Sequence, residues 1–244
     1  MWIYLSPHLD DVALSCGGLV WEQTQRVDAV SIWTLCAGEP PDGAVSPFAE
    51  DLHRRWEAGR EATTLRRQED LASYEVIGAT GRYFTVPDCI YRRGGTGNMP
   101  LYASESALFG PLHPLEAPLV EELAAELSRE LPGEAEVVCP LAVGGHVDHR
   151  LVRLAAECLG RPLWYYADVP YVLTQRDELA KLSRTGWRAQ VFPISADGLA
   201  AWDKAITAHA SQISSFWPDL HSMRAAIGAY CLENGGIRLW RATY

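Results

Sequence analysis

Met1-Trp2-Ile3-Tyr4-Leu5-Ser6-Pro7-His8-Leu9-Asp10-Asp11 opens the chain, and the small-residue run Ala13-Leu14-Ser15-Cys16-Gly17-Gly18 follows it closely. Five aromatic and aliphatic residues in succession predict a buried strand, and the run after the turn predicts entry into a helix. His8, Asp10 and Asp11 are thereby placed on a strand-to-helix turn, at the carboxyl end of a first strand. In open α/β sheets ligands bind at that end of the strands.

Outward from this turn, residues 12–25 fit a helix in which Gly17 and Gly18 are expected to let helix and sheet approach closely. Residues 27–35 alternate as a second strand, and the loop 36–46 after it is punctuated by Gly38, Pro40, Pro41 and Gly43. The result is a βαβ unit, the signature of a parallel sheet. A long Arg- and Glu-rich helix is predicted over 48–77 with Gly78 as its C-cap, then a strand over 82–86. The stretch 87–114 includes Arg92-Arg93-Gly94-Gly95-Thr96-Gly97-Asn98 and reads as an excursion, and loops of such length are more often functional than idle.

An acidic helix over 119–131 leads to a strand over 136–141, the turn Gly144-Gly145-His146-Val147-Asp148-His149 and a helix over 150–159. Strands at 163–166 and 190–194, helices at 198–214 and 222–230, and a last edge strand at 238–240 complete the chain. The fold class is α/β: a three-layer sandwich around a mostly parallel sheet, with the candidate active site at the carboxyl ends of strands 1 and 4. With neither an internal repeat nor a low-complexity linker, one domain over 1–244 is expected.

Composition narrows the partners. A formal net charge of −10 argues against a basic footprint for nucleic acid and against an anionic membrane surface. The six cysteines form no C-x-x-C pair and read as reduced thiols. No basic segment precedes the first apolar run, and no apolar stretch is long enough for a bilayer, so the expected location is cytoplasmic. A homo-oligomer remains open.

His8, Asp10 and Asp11 follow the first strand, and His146, Asp148 and His149 follow the fourth. If these strands are neighbours where the winding of a doubly wound sheet reverses, the two clusters face each other across a crevice. Two neutral imidazoles and one carboxylate, with a fourth position for water, is a pattern of hydrolytic zinc sites. His8 and Asp11, three residues apart, could reach a single ion, and His149 could complete the set. Asp10, Asp148 and His146 are then free to move a proton, orient a ring and stabilise an oxyanion. Each cluster alone reads equally well as a helix cap or a polar loop. Their occurrence at matching ends of two strands favours a site.

Pro7-His8-Leu9-Asp10-Asp11 resembles the H-P-D-D motif of the LmbE-like (PIG-L) N-acetylglucosaminyl deacetylases, and Gly145-His146-Val147-Asp148-His149 resembles their later H-x-D-H motif. The resemblance implies a Rossmann-like fold and zinc-dependent removal of an N-acyl group, usually acetyl, from an amino-sugar substrate. It implies His8, Asp11 and His149 as zinc ligands, Asp10 as general base and acid, His146 as the oxyanion group and Asp148 as an orienting residue. Arg66-Arg67-Gln68-Glu69-Asp70 is similar to the family's R-x-x-E helix, which implies Arg66 as a substrate-binding residue, although Arg66 and Arg67 fit the spacing equally and either also reads as a solvated charge. Fainter likeness continues in Tyr166-Ala167-Asp168-Val169-Pro170-Tyr171 and over 204–212. Leu9 stands where the family has proline, and Ala167 where some members have an acid.

The remaining candidates are plainer. His53 and His113 read as loop residues, His209 and His221 as structural histidines of late helices, and Gly94-Gly95-Thr96-Gly97 lacks the strand-into-helix setting of a phosphate loop. Among nine tryptophans, Trp33 and Trp56 fall near the site end and could stack on a sugar. A metallohydrolase acting on a phosphoester and a non-catalytic sugar-binding homologue are the alternatives to an amidase.

Overall fold

A computed structural model describes residues 1–26, 28–56, 59–182 and 186–243. Val27, expected in the second strand, and Glu57 and Ala58, expected in the long helix, lie outside the described residues. The chain runs β1 (Trp2–Ser6), α1 (Asp11–Gln25), β2 (Val30–Thr34), α2 (Pro47–Arg55), α3 (Ala62–Ile77) and β3 (Thr80–Tyr83). The excursion carries the two-residue strands β4 (Arg93–Gly94) and β5 (Met99–Pro100) and the short α4 (Glu105–Leu108). Then come α5 (Ala117–Glu130), β6 (Glu136–Pro140), α6 (Val147–Glu157), β7 (Leu163–Tyr166), α7 (Tyr171–Thr174), α8 (Arg176–Leu182) and β8 (Trp187–Phe192). The last elements are α9 (Ala196–Ala208), α10 (Ala210–Phe216), α11 (Leu220–Asn234) and β9 (Ile237–Ala242).

Seven strands form one sheet in the order β3-β2-β1-β6-β7-β9-β8. From β3 to β7 neighbours are parallel, and the last two strands join antiparallel. The chain winds outward from β1 through β2 to β3, then returns to lay β6 on the other side of β1. The winding therefore reverses between β1 and β6, the first and fourth strands of the sheet, where a crevice opens at their carboxyl ends. Right-handed crossovers place α1 and α3 on one face and α5 with α6 on the other.

Several expectations are corrected. The helix over 48–77 is two helices, because Gly59 adopts φ 54°, a left-handed conformation that no helix continues through. α2 starts on Ser46, whose hydroxyl accepts the Ala49 N–H, and Pro47 fits the first turn. His53 is therefore on a helix, buried, with Nε2 2.5 Å from the Tyr91 hydroxyl. The helix over 198–214 breaks at His209, whose ψ of 55° is not helical. β9 is not an edge strand: it inserts between β7 and β8, and β8 takes the edge. Gly17 and Gly18 adjoin another helix rather than the sheet, since Trp202 of α9 lies over them and donates its Nε1–H to the Ala13 carbonyl at 2.8 Å.

The main core lines both faces of the sheet. A smaller cluster joins Ala49 of α2, Cys89, Ile90 and Tyr91 of the excursion, and Val147 at the start of α6. That cluster seats the excursion beside the crevice.

Candidate active site

β1 ends in a turn held by its own side chains. The Ser6 hydroxyl donates to the His8 carbonyl at 2.7 Å, and Asp11 Oδ2 accepts the His8 N–H at 2.7 Å. Leu9, where the family has proline, is buried in this turn. On the other side of the crevice, His146 caps α6: its Nδ1 accepts the Asp148 N–H at 3.2 Å. The two turns converge, with the His8 and His146 rings 4.9 Å apart, His8 and His149 5.5 Å, and His146 and His149 5.3 Å.

The predicted residues are brought together as follows. Asp11 faces both imidazoles, with Oδ2 3.2 Å from His8 Nδ1 and Oδ1 3.3 Å from His149 Nε2. His149 Nε2 is buried and has no hydrogen-bond partner among the described residues. Nitrogens of His8, His146 and His149 lie within 4.8 Å of one another, a donor set able to hold a metal ion. Asp148 reaches His8, not the neighbouring His146: its Oδ2 is 2.9 Å from His8 Nε2 and also accepts the Cys89 N–H. Arg66 is buried against the site, with Nη2 3.4 Å from Asp10 Oδ1, Nη1 3.9 Å from Asp88 Oδ2 and its guanidinium over the Trp56 ring. It is no solvated helix charge. Arg67, the other candidate, instead meets the Ala37 carbonyl and Glu39, away from the crevice.

Sequence reasoning missed three side chains that organise the cluster. Asp168 Oδ1 is 2.7 Å from His149 Nδ1, while its Oδ2 accepts the Val143 N–H. Arg92 lies buried between Asp148 and Glu116 and bonds the Pro87 carbonyl; Glu116 in turn accepts the Tyr102 hydroxyl. Asp88 faces both His8 and Arg66. Asp168 stood inside a segment already singled out, but nothing local distinguishes the buried Arg92 from the half-buried arginine beside it. His113, His221 and Trp33 do not line the cavity, whereas Trp56 does.

Electrostatics divides the roles. Burial raises Asp10, Arg66 opposes and Asp11 adds to the rise, leaving its carboxyl at about 6. Burial disfavours a charged His149, but Asp11 and Asp168 outweigh it and lift the ring to about 9. His8 is likewise raised against burial, by Asp11 and Asp148. Burial and the neighbouring His8 drive His146 well below its usual value, so that ring is neutral. With Nδ1 accepting, the neutral ring carries its proton on Nε2.

A cavity of about 560 Å³ opens over this cluster. Its floor holds His8, Asp10, Asp11, His146, Arg66 and Asp88.

The family pattern described as PIG-L, GlcNAc-PI de-N-acetylase, matches residues 3–159. A 2'-N-acetylparomamine deacetylase of Niallia circulans is 30% identical over 205 residues, covering 77% of this chain and 72% of that protein. A protein of the same description from Streptomyces fradiae is 34% identical over 185 residues, covering 72% of this chain but only 58% of its own length. Among solved structures, the zinc-inhibited form of a teicoplanin deacetylase superposes with a TM-score of 0.82 at 23% identity, over 98% of this chain and 96% of that one, a likeness of fold. The family pattern spans β1 through α6 and so takes in both histidine turns, and the chain belongs to the PIG-L, or GlcNAc-PI de-N-acetylase, family.

Proposed function

We propose that the protein is a zinc-dependent deacetylase that hydrolyses the N-acetyl amide of an amino sugar within a glycoconjugate, using Asp10 as its proton carrier. The main support is the orphaned His149 Nε2, 3.3 Å from Asp11 Oδ1, with His8 Nδ1 3.2 Å from the other oxygen of the same carboxylate. Two imidazole nitrogens and a carboxylate are a donor set that suits zinc, and Asp148 and Asp168 sit at the far nitrogens of the His8 and His149 rings, as partners of metal-binding histidines do.

When bound, zinc supplies Lewis acidity that acidifies water and polarises an acyl carbonyl. Asp10 takes the proton of the attacking water and returns it to the leaving amine. A carboxyl held at about 6 is suited to both transfers near neutrality. The His146 Nε2–H donates to the oxyanion that forms as the carbonyl becomes tetrahedral. Arg66, beside Asp10 and Asp88 on the floor, binds the sugar. Three carboxylates, Asp10, Asp11 and Asp88, share that floor with one arginine, which suits a neutral amide better than a phosphoester.

Residues 1–244 act as one deacetylase domain in this proposal, and its location is cytoplasmic, in keeping with six free cysteines, four of them buried. Among the described residues no helix is long and apolar enough to cross a membrane.

Metal content and turnover of Asp10→Asn, His149→Ala and His146→Ala, measured on an N-acetylglucosaminide, test the assignment. Asp10→Asn is expected to keep its metal and lose about 10²–10⁴-fold in rate. His149→Ala is expected to lose the metal, and His146→Ala to keep it while losing rate. Full activity with Asn at position 10 would refute the proton carrier, and metal loss in His146→Ala would make that ring a ligand.

A further inference from the structure

The upper part of the cavity differs in kind from its floor. Phe48, Leu52 and Trp56, from α2 and the residue after it, form one apolar wall together with Leu108, and Phe109, Tyr171 and Phe216, with successive ring centroids 5.8 and 6.4 Å apart, form another. Phe109 is 42% exposed, although it packs edge-on against His146 at 5.5 Å and Tyr171 at 5.8 Å. The rim between these walls carries Arg55 and Glu105, exposed and 3.8 Å apart.

From these walls we infer that the amino sugar taken by this site carries a flat, apolar, aromatic aglycone, seated between the α2 wall and the Phe109–Phe216 wall. This rests on the deacetylase proposal, which fixes the acetamido group on the floor. A volume of about 560 Å³ falls in the range of about 300–1,000 Å³ that encloses drug-sized ligands, so the cavity is not filled by one acetylated sugar ring. Hydroxyls or ammonium groups of a polyhydroxylated or cationic acceptor laid on Phe48, Leu52 and Phe216 would find no partner in those side chains, and outside the floor the polar lining able to meet them comes down to Arg55, Glu105, Gln212, Ser214 and Ser215. A flat apolar group would lose its water and stack on aromatic faces.

The apolar group is the aglycone rather than a long acyl chain for a reason of connectivity. The carbonyl carbon must sit on the floor, so an acyl chain starts among His8, Asp10, Asp11 and His146. The glycosidic oxygen leaves the neighbouring ring carbon and starts at the height of the walls.

The test compares kcat/KM of the metal-loaded enzyme on three compounds: 2-naphthyl 2-acetamido-2-deoxyglucoside, its methyl counterpart, and the methyl glycoside bearing N-octanoyl in place of N-acetyl. The naphthyl glycoside is expected to exceed the methyl glycoside at least tenfold, and Leu52→Asp and Phe216→Ser each to lower that ratio at least threefold. A ratio near one, or preference for the octanoyl compound, overturns the inference. Calorimetric titration with the corresponding deacetylated glycosides reads the same subsite without turnover. Naphthyl over methyl affinity of tenfold or more supports it and equal affinities overturn it, even if neither acetyl compound is hydrolysed and the deacetylase proposal itself has failed.

Discussion

Asp168 Oδ1 and His149 Nδ1 lie 2.7 Å apart with both side chains sealed from solvent. The aspartate is fixed in turn by the Val143 N–H at 2.8 Å, so the imidazole keeps one orientation, with Nε2 toward Asp11. Asp168→Asn preserves shape but removes the charge that makes His149 a strong donor. Its zinc affinity, from competition with a chelator, is expected to fall about 10–100-fold while the circular dichroism spectrum is kept. Unchanged affinity would remove Asp168 from the site.

Arg92 serves two carboxylates that it does not border in sequence, Asp148 and Glu116, and both are buried. Arg92→Met leaves those charges without their counterion, a loss of about 3–5 kcal/mol in urea unfolding. Adding Glu116→Gln should restore part of it, because one of the stranded charges goes; a double variant no more stable than the single one would contradict this.

Two glycines in helices offer a matched pair. A Cβ on Gly17 would stand 2.8 Å from Trp202 Cδ1, in a fully buried contact between α1 and α9. Gly17→Ala is expected to cost about 1–3 kcal/mol. Gly228 of α11 has open space at its Cβ position, so Gly228→Ala should stabilise by about 0.5–1 kcal/mol. Thermal melts of both variants decide it, and the two shifts should have opposite signs.

Burial lifts the carboxyl of Asp70 to about 8, against roughly 3.9 in an unfolded chain. Between about pH 4 and about pH 8 the folded protein therefore holds a proton that the unfolded chain has released, and stability falls as pH rises through that window by up to about 1.4 kcal/mol per unit. His209, which burial holds at about 3, acts oppositely: its contribution is lost as pH falls below about 6.5. Urea unfolding at about pH 6.5 and about pH 8 leaves His209 out of the comparison, while His149, lifted to about 9, and the raised His8 add to the carboxyl's effect in the same direction. Wild type should be less stable at the higher pH, and Asp70→Asn should show a smaller difference than wild type.

What could be read in the sequence follows the reach of each interaction. The turn after β1 and the turn before α6 are contiguous motifs, so both could be read, and a parallel βαβ start is enough to expect them at one switch point. Asp168 meets His149 from nineteen residues away, and Arg92 meets Asp148 from across the excursion, by contacts that leave no local pattern. Arg66 was ambiguous with Arg67 because a helix repeat cannot say which face is covered. It is α3 packing beside the crevice that buries one and not the other. The missed break at Gly59 and the misplaced final strand have the same origin, since an Arg- and Glu-rich run conceals a left-handed glycine and strand order in a sheet is a tertiary property.

The position of β9 bears on how the molecule comes into being. Among the described residues β8 pairs in the sheet with β9 alone, and β9 is also the strand that covers the open side of β7. On the ribosome, β1 through β7 can assemble their parallel order as they emerge, but β8 must wait unpaired until residues 237–242 have been made. During that interval β7, whose end leads directly to Asp168, is a raw edge. The flank of the strand that leads to Asp168 is thus the last part of the sheet to be closed.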